Sequence, residues 1–249
     1  MTIPLNNEQI TVAARARTEF GFGPLEPVDI LKVVELDKMA CVFRPLDSQV
    51  SGIFVRVGSA RVVLVNSAKS LGPQRFTLAH ELYHAHYDTD LSFQTCHAGT
   101  KNSGRERAAD EFAAHFLIPV QGLWNYLTPR LFPGHEIDLP DVLFLEQLFG
   151  VSHQAMLIQL KRFSMVNHRQ IIDWESVSIR RVAREWGYDD ALYRPTHSER
   201  IITDYVEKSK RALDQDLISF AKYEELLADA GLLEQVMGGA GGEDDDLVD

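Results

Sequence analysis

RFTLAHELYHAHY, residues 75–87, is the stretch whose reading decides the fold. Its apolar residues recur at helical spacing and Gly72-Pro73 stands at its head, so a helix is predicted from Pro73 to about Tyr87. Residues four apart share a helix face, so His80 and His84 present two imidazoles to one point. Zinc takes such nitrogens in tetrahedral sites, and Glu81 flanks the same point, where it can accept a proton from a water. An apolar helix otherwise has little reason to spend two histidines and a glutamate on one face, because unpaired buried polar groups are costly.

A catalytic zinc needs a third protein ligand and an open position. Asp90 stands at the ligand offset of the HExxHxxGxxH/D pattern, but Tyr87 replaces the glycine that pattern turns on. His97 lies in the polar stretch 88–103, read as a loop. Glu106 opens RERAADEFAAHFLIP (105–119), a second predicted helix from about Gly104 to Leu117 that stops before Pro119. Glu106 and Asp110 are four apart there, which suits a glutamate ligand with an aspartate orienting one of the histidines. Glu106 is therefore the expected third ligand, with one Zn2+ per chain and Glu81 as the catalytic base. Cys96, between the two helices, is a candidate inhibitory zinc ligand, since a thiolate could fill the open position. Cys41, in an apolar run, reads as core.

Upstream, Met39–Phe43, Ile53–Val57 and Arg61–Asn66 are short runs rich in Val, Ile and Phe, and Gly58-Ser59 fits a two-residue turn. They predict a small, largely antiparallel three-stranded sheet packed on helices, an α+β fold, whose edge at Arg61–Asn66 could add a substrate strand. Two helices precede it, one capped by Asn6 or Asn7 and one over Val28–Leu36. Downstream the periodicity is helical over Val142–Phe149, Ser152–Phe163, Trp174–Trp186, Ser198–Leu213 and Ser219–Leu233.

HELYH followed by ERAADEFAAHFLIP resembles the ImmA/IrrE family of zinc-dependent metallopeptidases, of the gluzincin group, over about residues 5–165. The family pattern is roughly HExxH, then ExxANxFAxxLLMP; here Asp110 replaces the usual Asn, and Asp is what other gluzincins carry at that offset. LEQLFGVSHQAMLIQLKRF (145–163) is similar to the helix-turn-helix-like segment that follows the family's peptidase core. The resemblance implies a zincin-like core at 1–135 and a helix-turn-helix-like segment at 136–168; periodicity adds a helical region at 169–236 for sensing, docking or dimerisation, and composition a disordered acidic tail at 237–249. It also implies a substrate: a helix-turn-helix transcriptional repressor encoded nearby, whose cleavage derepresses stress, mobile-element or phage-defence genes.

Charge and composition bound the alternatives. The 249 residues carry 36 acids and 25 bases, a net charge of -11, which argues against a non-specific nucleic-acid binder. Five of those acids sit in GGAGGEDDDLVD (238–249), a tail too polar to bury, so the remainder is only -6. Lys161, Arg162, Arg169, Arg180, Arg181 and Arg184 form a local basic stretch that could meet single-stranded DNA as an activator. The rival readings are a DNA-binding regulator, or an HExxH toxin-like hydrolase with another target. Two cysteines exclude a disulfide scaffold, no run suits a membrane helix, and the start lacks a signal peptide, so a cytoplasmic protein with no membrane partner is expected.

Overall fold

A computed structural model describes residues 7–90, 92–97, 104–131, 136–229 and 231–238. Two helices lead in, α1 (Asn7–Glu19) and α2 (Ile30–Leu36), the latter capped by Asp29, whose carboxylate accepts from the Leu31 and Lys32 amides. Asn6, the other candidate cap of α1, lies outside the described residues, as do tail residues 239–249. Next come β1 (Ala40–Arg44), β2 (Val50–Val57), β3 (Ala60–Asn66), α3 (Leu71–Tyr87), β4 (Phe93–His97), α4 (Gly104–Leu117) and α5 (Val120–Leu127). Then follow α6 (Leu139–Phe149), α7 (His153–Arg162), α8 (His168–Glu175), α9 (Ile179–Glu185) and β5 (Arg200–Ile202). These elements belong to one compact unit ending at Ile202; a second, Thr203–Asp249, holds α10 (Tyr205–Asp214), α11 (Phe220–Asp229) and α12 (Leu233–Met237).

The α+β class holds, but the sheet differs from the one expected: it is mixed and five-stranded, in the order β4-β2-β3-β1-β5. All three expected strands are present, and Gly58, at φ +58°, makes the two-residue turn that lets Val57 pair with Ala60. The chain does not meander, because β1 runs parallel to β3 and the 45–49 connection steps across β3 to reach β2. Asn66, buried at the end of β3, anchors that step. Its amide donates to the Asp47 and Val50 carbonyls, and its side-chain oxygen accepts from the Leu46 and Ala68 amides. β3 therefore lies between β2 and β1, and the Arg61–Asn66 edge expected to receive substrate is already paired on both sides.

The two added strands are short and escape periodicity arguments. β4 lies in the 88–103 stretch read as a loop, and β5 lies where a helix from Ser198 was expected. The expected Trp174–Trp186 helix is instead two, α8 and α9, because the capping box of Asn167 with Gln170 starts α8 earlier and Ser176–Ser178 breaks the helix. α7 begins at its expected cap, with the Ser152 hydroxyl accepting from the Ala155 amide. Gly231, at φ +68°, separates α11 from α12 within the span expected as one helix.

α3 packs on α4 and on the sheet, in a core holding Leu78, Leu82, Phe112, Phe116, Phe54 and Val63, all essentially without solvent exposure. Arg56 of β2 donates to the carbonyls of His84 and Ala85, tying the end of α3 to the sheet. α7 spends Met156, Leu157, Gln159 and Leu160 on the core. Gln159 holds the Ile118 carbonyl, so α7 serves as a packing helix of this core.

His115 of α4 gives this core a pH dependence. Its ring nitrogens face the Gln159 amide at 3.2 Å and the Arg162 guanidinium at 3.4 Å, and burial followed by the Arg162 charge lowers its pKa from 6.5 to about 4. Between those values the unfolded chain binds a proton that the folded one refuses, so stability falls as pH falls through that window. The loss is on the order of 3 kcal/mol for a shift of this size. Urea unfolding at pH 7 and pH 4.5 should show a smaller acid loss in His115→Gln than in the parent; equal losses would refute the assignment.

Candidate metal centre

Three elements converge on one point. α3 supplies His80, Glu81 and His84, α4 supplies Glu106 and Asp110, and β4 supplies Cys96. One ligand atom from each of His80, His84, Cys96 and Glu106 lies within 4.8 Å of the others. The two Nε2 atoms are 3.1 Å apart. Glu106 bridges them, with Oε2 3.3 Å from His80 Nε2 and Oε1 3.3 Å from His84 Nε2. Cys96 Sγ stands 3.9 Å from Glu106 Oε2.

The far nitrogens explain why both Nε2 atoms face inward. Nδ1 of His80 donates to Asp110 Oδ1 at 2.9 Å, as the four-residue offset from Glu106 implied. Nδ1 of His84 donates to Asp88 Oδ2 at 2.6 Å. Asp88 was missed by sequence reasoning, although it stands one helical turn after His84, where the same rule could have found it. Each carboxylate fixes a ring orientation and turns Nε2 toward the centre.

The charge states fit a site made for a cation. The hydrogen bonds to His80 and His84 hold the Glu106 carboxyl far below its usual range. Burial opposes a charge on His80 and on His84, yet their carboxylate partners raise both above the ordinary imidazole value. Metal binding would displace the shared protons. Burial pushes the Cys96 thiol up to about 12, with His80 pulling it back, in the absence of any ion.

Glu81 is wholly buried, and neither carboxylate oxygen has a hydrogen-bond partner. Burial raises its pKa, and the neighbouring histidines oppose the rise. β2 passes directly over it: a Cβ on Gly52 would come 2.5 Å from Thr77 Cγ2 and 3.3 Å from Glu81 Oε1. A buried carboxylate without partners is expensive, so its place beside a ligand cluster marks a group waiting for one.

The other candidates lie elsewhere. Asp90 is exposed and paired with Arg105 at 2.8 Å. His97 pairs through its backbone with Val50. Tyr83 and Tyr87 pack at a tilt against one another and against Phe112. The basic residues are engaged locally: Arg162 with His115 and Gln159, Arg169 beside Asp173, Arg181 with Glu185, and Arg180 and Arg184 on Asp190. Lys161 closes the last turn of α7. Among the described residues no helix is long and apolar enough to cross a membrane.

Asp110 offers a direct test of this wiring. Asp110→Asn should cost roughly 10–100-fold in metal affinity or activity, the usual toll for such an orienting carboxylate. Competition against a metal indicator reads it, and an affinity equal to that of the parent chain would remove Asp110 from the site.

Compared with known proteins, residues 34–161 match the family described as IrrE N-terminal-like domain, a peptidase family. The match takes in every residue of the cluster and about half of the chain. No curated protein matches it.

Proposed function

The chain belongs to the IrrE N-terminal-like peptidase family, and from that premise we propose that it is a zinc-dependent endopeptidase that cuts a helix-turn-helix transcriptional repressor. One observation carries the reading: two histidines tied back by carboxylates turn their Nε2 atoms to a glutamate, beside a buried glutamate with no partner. Two nitrogens each 2.0–2.1 Å from one tetrahedral ion stand about 3.3 Å apart, close to the 3.1 Å and 3.3 Å separations here. His80, His84 and Glu106 would hold zinc, and nitrogen and carboxylate donors suit it. Zinc, when bound, would polarise the scissile carbonyl and lower the pKa of a water at its open position.

The chain's own residues supply the rest. Glu81 takes a proton from the attacking water onto a carboxylate oxygen and hands it to the departing amine nitrogen. The products are a new carboxylate and a free amine. Asp110 and Asp88 keep the histidines in register through both transfers.

The repressor substrate rests on the family resemblance. The test is to incubate the full chain with the small helix-turn-helix protein encoded beside it, with and without chelator. A defined cut, abolished by chelation, is expected; an intact repressor in the presence of zinc would refute the substrate. Single-stranded DNA in the same reaction tests the 161–184 stretch as an activator site, with salt-sensitive stimulation expected.

A further inference from the structure

Among the described residues β4 is an outer strand of the sheet, and β2 is its sole partner there. β2 is also the strand that runs over the metal centre, through Gly52 above Glu81. A peptide lying in extended form with its scissile carbonyl at the centre would pair with the outer edge of β2, since strand addition satisfies its backbone without any sequence requirement. That edge is taken. β4 pairs on it antiparallel, with Val55 opposite Phe93, Ile53 opposite Thr95 and Gly52 opposite Cys96.

The register shifts between Val50 and Gly52, so the ladder is irregular next to Cys96. Such an irregularity re-aims a side chain, and here the Cys96 thiol joins His80, His84 and Glu106. Glu81 faces the same point. It is wholly buried, has no partner for either oxygen, and lies under the residue that Cys96 faces across the ladder. With zinc bound to His80, His84 and Glu106, the thiol would compete with the water that Glu81 would deprotonate.

We propose that β4 is a built-in competitor: it occupies the β2 edge that substrate needs and delivers Cys96 as a fourth, thiolate ligand, so that the metal-loaded enzyme is latent until β4 lifts away. This rests on the peptidase reading above. Three protein ligands and an open position make a catalytic zinc; four make a closed, structural one. The thiol gives up its proton to solvent when it ligates and regains one when it leaves, so no redox partner is involved. β4 is suited to detach. Phe93 is 61% exposed, and among the described residues the strand pairs with β2 alone.

The test uses the full chain loaded with zinc, together with Cys96→Ser and Thr95→Pro, the second of which places a proline in the strand's backbone ladder. X-ray absorption at the zinc edge should show a sulfur neighbour at about 2.3 Å in the parent chain. Cys96→Ser should bind one zinc without that neighbour. Cleavage of fluorescein-labelled casein should rise on the order of tenfold to a hundredfold in both variants, the reciprocal of the fraction of time β4 is lifted. A zinc site with nitrogen and oxygen neighbours only, in the parent chain, overturns the thiolate and leaves the peptidase reading standing. A sulfur neighbour with both variants no faster than the parent overturns the latency. Failure of all three chains to bind zinc overturns the peptidase reading and the proposal with it.

Discussion

Glu81→Gln is expected to keep its metal and lose its cleavage, by roughly 10³-fold within the 10²–10⁴ range typical of a positioned acid–base group. Glutamine fills the same volume but offers no basic oxygen. It also removes a carboxylate that is wholly buried with neither oxygen partnered, and a neutral amide there costs less than an unpaired charge. The variant should therefore melt no lower than the parent, and activity and stability move in opposite senses. That divergence separates loss of a proton acceptor from loss of the fold. Metal content by atomic absorption, a melting curve and a cleavage assay decide it together. Cleavage within tenfold of the parent would sink the assignment of Glu81 as the base.

Glu106→Gln is expected to act on the metal itself. Its two oxygens each approach one histidine Nε2, at 3.3 Å, so a single carboxylate closes the triangle of ligands. Removing its charge should weaken binding by more than the 10–100-fold that an orienting partner such as Asp110 costs. A bound ion at a hundred times its dissociation constant stabilises the folded chain by about 2.7 kcal/mol. Chelator should thus lower the melting temperature of the parent and leave that of Glu106→Gln nearly unmoved. Asp90→Asn is the control, because Asp90 is occupied with Arg105. If Asp90→Asn abolishes metal binding and Glu106→Gln does not, the third ligand has been misassigned.

Much of the centre is legible in the sequence because helices convert spacing into geometry. His80 with His84, and Glu106 with Asp110, are both four apart, and each pair meets where that rule puts it. Asp88 obeys the same rule from just past the end of α3, at the head of the polar stretch read as a loop. Strands reveal less. β1, β2 and β3 announce themselves through Val, Ile and Phe, yet nothing in them says that β1 lies parallel to β3; that depends on Asn66, one polar side chain holding a crossing loop. β4 and β5 are five and three residues long, too brief for any period to emerge from polar surroundings. The run of cations from Lys161 to Arg184 is divided among three helices. Arg162 of α7 turns to His115 and Gln159, Arg169 of α8 to Asp173, and Arg180 and Arg181 of α9 to Asp190 and Glu185.

The pairing of β5 with β1 carries a consequence for how the molecule is made. Cys41 meets Ile202, and Ser70 bridges to Pro195, so the far side of the sheet is sealed by chain translated some 160 residues after β1. Every residue of the metal cluster has emerged by position 106. On the ribosome, the centre can thus form while the backbone of β1 still offers an unpaired row of donors and acceptors, the kind of edge that invites wrong partners. A nascent chain halted near residue 161, where the family match ends, would hold all four cluster residues but not the strand that covers the β1 edge. The last strand is therefore a quality seal, applied only when synthesis has passed well beyond the enzyme's working parts.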